Sequence, residues 1–238
     1  MRSFWSDPFL WIHLSGVATV PIFLGLCLLG LAVGSPMLPV WLEVFLVAVA
    51  GIAPVLWMQW FRPFYIFSIL VVAVKPQNLT NAQQQILTRF KTELNQALAI
   101  FVAVLLGVIL WQLYRLAPLA ATVAPFPPSW RWAGLLLAVA GFLASNLFLQ
   151  VSASVMAVLL TPESEFAATK PYVLEKIRHD FTIAPWQVDR LLPTFATETT
   201  ATTAVPAESV GPASGSLVNP KPADINLPTS LPEQSLEK

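Results

Sequence analysis

Three polar side chains within an otherwise apolar stretch carry the most suggestive chemistry in this sequence. Asn146, Gln150 and Ser154 recur at i, i+4 and i+8 between Ala133 and Leu160, a run without a charged residue, and Ser145 and Ser152 lie nearby. On an α-helix that spacing puts all three groups on one face. A carboxamide turned toward lipid would leave its donors and acceptors unpaired, so in a bilayer the stripe must face protein or a water-filled cavity. Two chemistries fit: a polar pathway or cofactor face, and interhelical hydrogen bonds that fix packing at under about 2 kcal/mol per contact. No intramembrane charge accompanies the stripe, which favours packing.

The other reactive residue types are sparse. His13 opens the first apolar run, where it could ligate a metal or a pigment but reads more simply as an interfacial histidine. His179 sits among charged residues and is expected to be exposed, and the single cysteine, Cys27, is embedded in apolar sequence. Two distant histidines, one cysteine and no paired acids do not make a metal centre, and no cofactor is expected. The chain has no glycine-rich phosphate loop, no H-E-x-x-H and no G-x-S-x-G. The expectation is a protein that is not an enzyme and has no catalytic residues. A formal net charge of zero gives no basic face for nucleic acid.

The elements that must position these residues follow from composition. The chain is 56% hydrophobic and 11% charged, with a mean hydropathy of +0.67. An ordinary soluble domain carries about 25% charged residues, so lipid must solvate part of this surface. A helix needs about 20 apolar residues to cross a bilayer core, and four runs reach or approach that length, at about 10–33, 40–61, 97–114 and 133–160. The first is too long and has too few positive charges ahead of it for a secretory signal, and reads as a retained anchor. Gly34, Ser35, Pro36 and Pro39 form the turn to the second, where Glu43 reads as an interfacial acid. Trp57, Trp60, Phe61 and Arg62 make an aromatic and basic girdle at its end; Trp111, Tyr114 and Arg115 close the third span, and Trp130, Arg131 and Trp132 open the fourth. Small residues Ala140, Gly141, Ala144 and Ser145, with Gly30 and Gly34, offer close helix approach.

Between the spans, the apolar segment 63–74 is too short to cross and is expected to be a re-entrant or interfacial helix. Thr80 and Gln83 have the form of a capping box, and Ile86, Phe90, Leu94 and Leu98 recur at helical spacing. That pattern predicts one unbroken helix from Thr80 into the third span, projecting from the bilayer. Residues 161–193 read as a cytoplasmic amphipathic segment: Val173, Ile177 and Phe181 share a helical face, and Pro185 starts a second short helix with Val188, Leu191 and Leu192. Thirty residues are too few for a core of their own, so the segment should lie on the membrane face or pack on the third helix. Residues 194–238 are rich in Thr, Ser, Ala and Pro without periodicity and are expected to be a disordered, low-complexity tail. The expected architecture is therefore an all-α integral membrane protein: a helical transmembrane domain over 1–160, the segment 161–193 and the tail.

Several long stretches, RSFWSDPFLWIHLSG, GIAPVLWMQWFRPFYIFSILVVAVKP, LWQLYRLAPLAA, SNLFLQV and ESEFAATKPY, together resemble the cyanobacterial low-complexity tail membrane proteins over residues 2–193. The resemblance implies a cyanobacterial plasma or thylakoid membrane and carries over no activity. With four spans, Arg2, Arg62, Lys75, Arg89, Lys91, Lys170, Lys176, Arg178 and Arg190 share one side, against Arg115 and Arg131 on the other. The positive-inside rule then places both termini in the cytoplasm, and the sequon Asn78-Leu79-Thr80 on the unglycosylated side. The functional expectation is a multi-pass scaffold or assembly factor whose partners are the lipid bilayer and other membrane proteins, and not nucleic acid. The alternatives are a small transporter or channel subunit using the Asn146–Ser154 stripe, and a pigment or lipid binder using His13 or the aromatic girdles.

Overall fold

The computed structural model describes residues 3–69 and 71–192. The tail expected over 194–238 lies outside the described residues. Within them, four helical stretches are long and apolar enough to cross a membrane: Pro8–Leu31, Val40–Phe61, Glu93–Val123 and Pro128–Leu159.

The first stretch consists of α1 (Pro8–Ser15) and α2 (Val20–Leu31), joined by a single 3-10 turn, Gly16–Thr19. Pro21 has no N–H to give the preceding turn, and Thr19 Oγ1 donates back to Gly16 O at 2.7 Å, so the backbone tightens there instead of continuing as a regular α-helix. Asp7 caps α1 by accepting from Phe9 N, and its other oxygen accepts from Gln83 Nε2, both at 2.9 Å. Burial outweighs these bonds and raises the Asp7 carboxyl above its usual range. Gly34 turns the chain at φ +63°, and a Cβ there would fall 2.4 Å from Pro128 O.

The second stretch is α3 (Val40–Phe61), which buries Glu43, Val47, Gly51, Val55 and Gln59, every fourth residue. The last, α6 (Arg131–Leu159), packs against α1, α2, α3 and also α5 (Glu93–Leu116). Close approach between α2 and α6 uses Gly30 and Gly141 from the small residues expected for it, and adds Gly134, which the spacing did not single out. A Cβ on Gly30 would lie 2.5 Å from Ala138 N and Gly134 O, and one on Gly141 would lie 2.7 Å from Phe23 O. Ala140, by contrast, is exposed.

The expected helix over 63–74 does not form. This β-branched and aromatic segment instead makes β1 (Ser68–Ile69) and β2 (Val72–Val74), paired antiparallel with Ile69 opposite Val72. The helix expected after Pro185 is also replaced. Trp186–Val188 is strand β3, parallel to β2, with Val72 opposite Trp186 and Val74 opposite Val188. The two corrections share a cause: β2 and β3 find backbone partners in each other, far apart in sequence, which local periodicity cannot register, while β1 closes on β2 within its own segment.

The predicted capping box is present, with Thr80 Oγ1 accepting from Gln83 N and Gln83 Oε1 from Thr80 N. The helix it starts, α4 (Asn81–Phe90), ends ten residues later, and the unbroken projecting rod is absent. Thr92 turns extended, and Asn95 Nδ2 bonds the orphan carbonyl of Phe90 at 2.9 Å, which ends α4 and lets α5 start afresh. Thus α4 folds back against the end of α6. It shares a core with β1, β2 and the short helices α7 (Glu163–Ala167) and α8 (Leu174–Asp180), built from Tyr65, Phe67, Leu87, Phe90, Phe166 and Phe181 among others. Ile177 and Phe181 are buried as expected, whereas Val173 is exposed.

This extramembrane cap is tied together by polar contacts as well. Arg62, expected to snorkel at the boundary, donates to Arg178 O and Phe181 O at 3.0 and 3.2 Å and so caps the end of α8. Lys75 pairs with Asp189 at 2.9 Å, and Arg89 with Glu165 at 2.5 Å. The Tyr172 hydroxyl donates to Asp180, which with His179 and Lys91 nearby holds the Asp180 carboxyl down at about 2.

The Gly30 contact is directly testable. Gly30→Val is expected to cost about 3 kcal/mol by forcing two backbones apart. Gly25→Ala, whose Cβ would meet nothing within 4 Å, should stay within about 0.5 kcal/mol. Reversible unfolding in mixed micelles measures both.

Candidate functional site

All three residues of the predicted stripe are buried, Asn146 at 0%, Gln150 at 1% and Ser154 at 3% exposure. The helix brings them to one face as the spacing predicts, and that face looks into α3 and α5. Asn146 Nδ2 donates to Gly51 O on α3, and Gln150 Nε2 donates to Ala99 O on α5, each at 2.9 Å. Gly51 matters here because it exposes its carbonyl; a Cβ on it would press within 2.4 Å of Phe142. Ser152 Oγ donates to His13 O at 2.9 Å, while Ser145 bonds its own helix at Phe142 O.

At the far end of α6 stands a pair the sequence did not bring together. Arg131 and Glu43 are 3% and 1% exposed and form a two-point ion pair, Nη2 with Oε2 and Nε with Oε1. Glu43 is therefore no interfacial acid and Arg131 no surface girdle. Burial is tolerated because both side chains make further bonds to the backbone. Arg131 Nη1 donates to Leu31 O and Val33 O at 2.6 and 2.8 Å, the orphan carbonyls at the end of α2. Glu43 Oε1 accepts from Met37 N at 2.8 Å and Leu38 N at 3.4 Å. A signal did exist. Opposite charges open two spans that must run in the same direction, so both sit at one depth.

Other buried polar atoms lack partners among the described residues. Both amide atoms of Gln59, Oδ1 of Asn95 and Oδ1 of Asn146 are buried without a hydrogen bond. Helix register places part of this set together. Because α3 and α6 run parallel, the Asn146–Gly51 bond puts Gln59 level with Ser154, eight residues on. Because α5 runs antiparallel, the Gln150–Ala99 bond puts Asn95 at that same depth. Gln59 and Asn95 thus extend the polar stripe onto two further helices; the four-residue spacing Glu43, Val47, Gly51, Val55, Gln59 was the available sign.

His13 is committed locally, its Nδ1–H donating to Phe9 O at 2.8 Å and its ring resting on Phe64. Cys27 is buried in the helix core. Among the described residues no group of three or more His, Cys, Asp or Glu is placed to hold a metal ion.

Four apolar spanning helices whose polar groups turn inward, with aromatic side chains such as Trp57, Trp111, Trp130 and Trp132 turned outward, define a multi-pass helical membrane protein. Within that class the chain belongs to the low-complexity tail membrane protein-like family, whose model matches residues 6–193. No curated protein and no solved structure matches it.

Removing the inward bonds separates their contributions. Asn146→Leu and Gln150→Leu should each cost about 1 kcal/mol, since each deletes one interhelical hydrogen bond. Arg131→Met strands a buried carboxylate and should cost about 3–5 kcal/mol. The same micelle unfolding series ranks the three.

Proposed function

We propose that this protein is a non-enzymatic scaffold or assembly factor, anchored by four spans, whose cytoplasmic cap recruits other membrane or membrane-associated proteins. One observation carries the reading. The cap is made jointly by the connection after α3 and the segment after α6, through the β1-β2-β3 sheet and a shared core. Such a joint gives a rigid platform fixed to the spans, while the polar groups inside the membrane are largely used in holding helices together. Val71 and Trp186, joined by the bond from Trp186 N to Val71 O, are 50% and 67% exposed on that cap and offer an apolar contact point. The excess of Lys and Arg on the cap's side supports a cytoplasmic position for both termini, in a cyanobacterial plasma or thylakoid membrane.

A second reading, a small transporter or channel subunit, draws on the unpaired atoms of Gln59, Asn95 and Asn146. Solute flux in liposomes that changes on Asn146→Leu with Gln150→Leu, while insertion is kept, would favour it; unchanged flux would dismiss it.

For the scaffold, affinity purification from native membranes is expected to recover a stoichiometric partner, and Trp186→Ala to reduce its recovery at least about tenfold, as a central aromatic contact does. Repeated purification of the protein alone refutes it. Protease accessibility of tags at the two termini, expected from the cytoplasmic side only, checks the sidedness.

A further inference from the structure

A cavity of about 900 Å³ opens where α4 breaks into α5, between the first turns of α5, the end of α6 and the start of α7. Its lower walls are apolar, formed by Leu94, Leu98, Ala153, Met156, Ala157 and Leu160. Leu94 and Leu160 are 70% and 69% exposed. Its rim is polar, carrying Arg89, Lys91, Thr92, Glu93 and Glu165. The division is set by depth. The two walls belong to spans that begin at Glu93 and finish at Leu159, so the apolar part lies within the bilayer's edge and the rim lies above it. An occupant must therefore be apolar at one end and polar at the other.

We propose that this groove holds one bilayer phospholipid, with an acyl chain along the α5–α6 wall and its phosphodiester at the start of α5. The volume suits a single bound molecule. Two features at the rim suit a phosphate. The start of α5 has no side-chain cap: Thr92 Oγ1 donates to Arg89 O, and Thr92 O accepts from Asn95 N and Gln96 N, which leaves the amides of Glu93 and Leu94 without a cap from Thr92 on this 24-residue helix. Lys91 stands immediately before it, partly exposed and only loosely engaged with Asp180 at 3.6 Å. Arg89 and Glu165 neutralise each other in an ion pair and weigh neither for nor against an anion. The remaining acid, Glu93, can accept from a hydroxyl or ammonium on the alcohol arm of the headgroup. The break between α4 and α5 thereby gains a role: an unbroken helix would have consumed those amides. This role is separate from partner recruitment by the cap and does not depend on it.

Native mass spectrometry of the full chain in detergent tests the proposal by titration with dioleoylphosphatidylglycerol and with dioleoylglycerol, which has the same chains and no phosphate. The first equivalent of the phospholipid should bind at least about tenfold tighter than the diacylglycerol, the difference one charge-assisted hydrogen bond makes. Lys91→Gln should remove about that factor. Because Lys91 also touches the cap, a second variant acts on the wall alone: Ala153→Leu with Ala157→Leu, which fills the groove from the lipid side and should weaken both ligands. Equal binding of the two lipids overturns the proposal. So does an unchanged first equivalent in either variant, or displacement of the phospholipid by inorganic phosphate, which would make this a free-anion site.

Discussion

Inside a bilayer, burying apolar surface does not hold helices together, because lipid tails are as apolar as leucine. What remains is close packing and hydrogen bonding, and here both converge on α6. From this one helix, Ser152 bonds a carbonyl of α1, Arg131 a carbonyl of α2, Asn146 a carbonyl of α3 and Gln150 a carbonyl of α5. Each other transmembrane element thus receives a side-chain donor from α6 at a backbone acceptor. Gly134 and Gly141 bring α2 close enough for direct packing on the same helix. The polar stripe is therefore best understood as the axle of the bundle.

The ends of α6 are treated differently, and the difference reflects their surroundings. At one end, a buried Arg131–Glu43 pair fixes the turn between α2 and α3 through backbone groups of Leu31, Val33, Met37 and Leu38. A charge pair there is acceptable because both side chains also bond the backbone around them. At the other end, α6 runs into an aqueous cap, where Val155 and Val158 join an aromatic core with Phe67, Phe90 and Phe181. There the hydrophobic effect operates again, and a small sheet and the helices α4, α7 and α8 can fold together although none could do so alone.

The cap also resolves how a short apolar segment can sit beside a membrane without entering it. Residues 63–74 are as oily as a span, yet β1 pairs with β2, β2 with β3 and Phe64 with Thr182, and Tyr65, Phe67 and Ala73 share a core with α4, α7 and α8. Tyr65, fully buried, spends its hydroxyl on Val74 O within the same segment. An apolar run this short therefore reports burial without reporting the solvent that causes it.

Hydropathy, span lengths, the capping box at Thr80 and the inward direction of Asn146, Gln150 and Ser154 were all legible in the sequence, because each is a sum or a spacing within a single segment. The membrane class and the family followed from the same local information. Tertiary structure alone decided what each segment meets: that Glu43 finds Arg131, that Gln59 and Asn95 share a depth with Ser154, that Ser68–Ile69, Val72–Val74 and Trp186–Val188 become strands, and that Asn95 ends α4 by taking the carbonyl of Phe90. Those outcomes rest on pairings between residues that lie far apart in the chain or across a turn. A polar group or an extended backbone has no preferred state until its partner is in place.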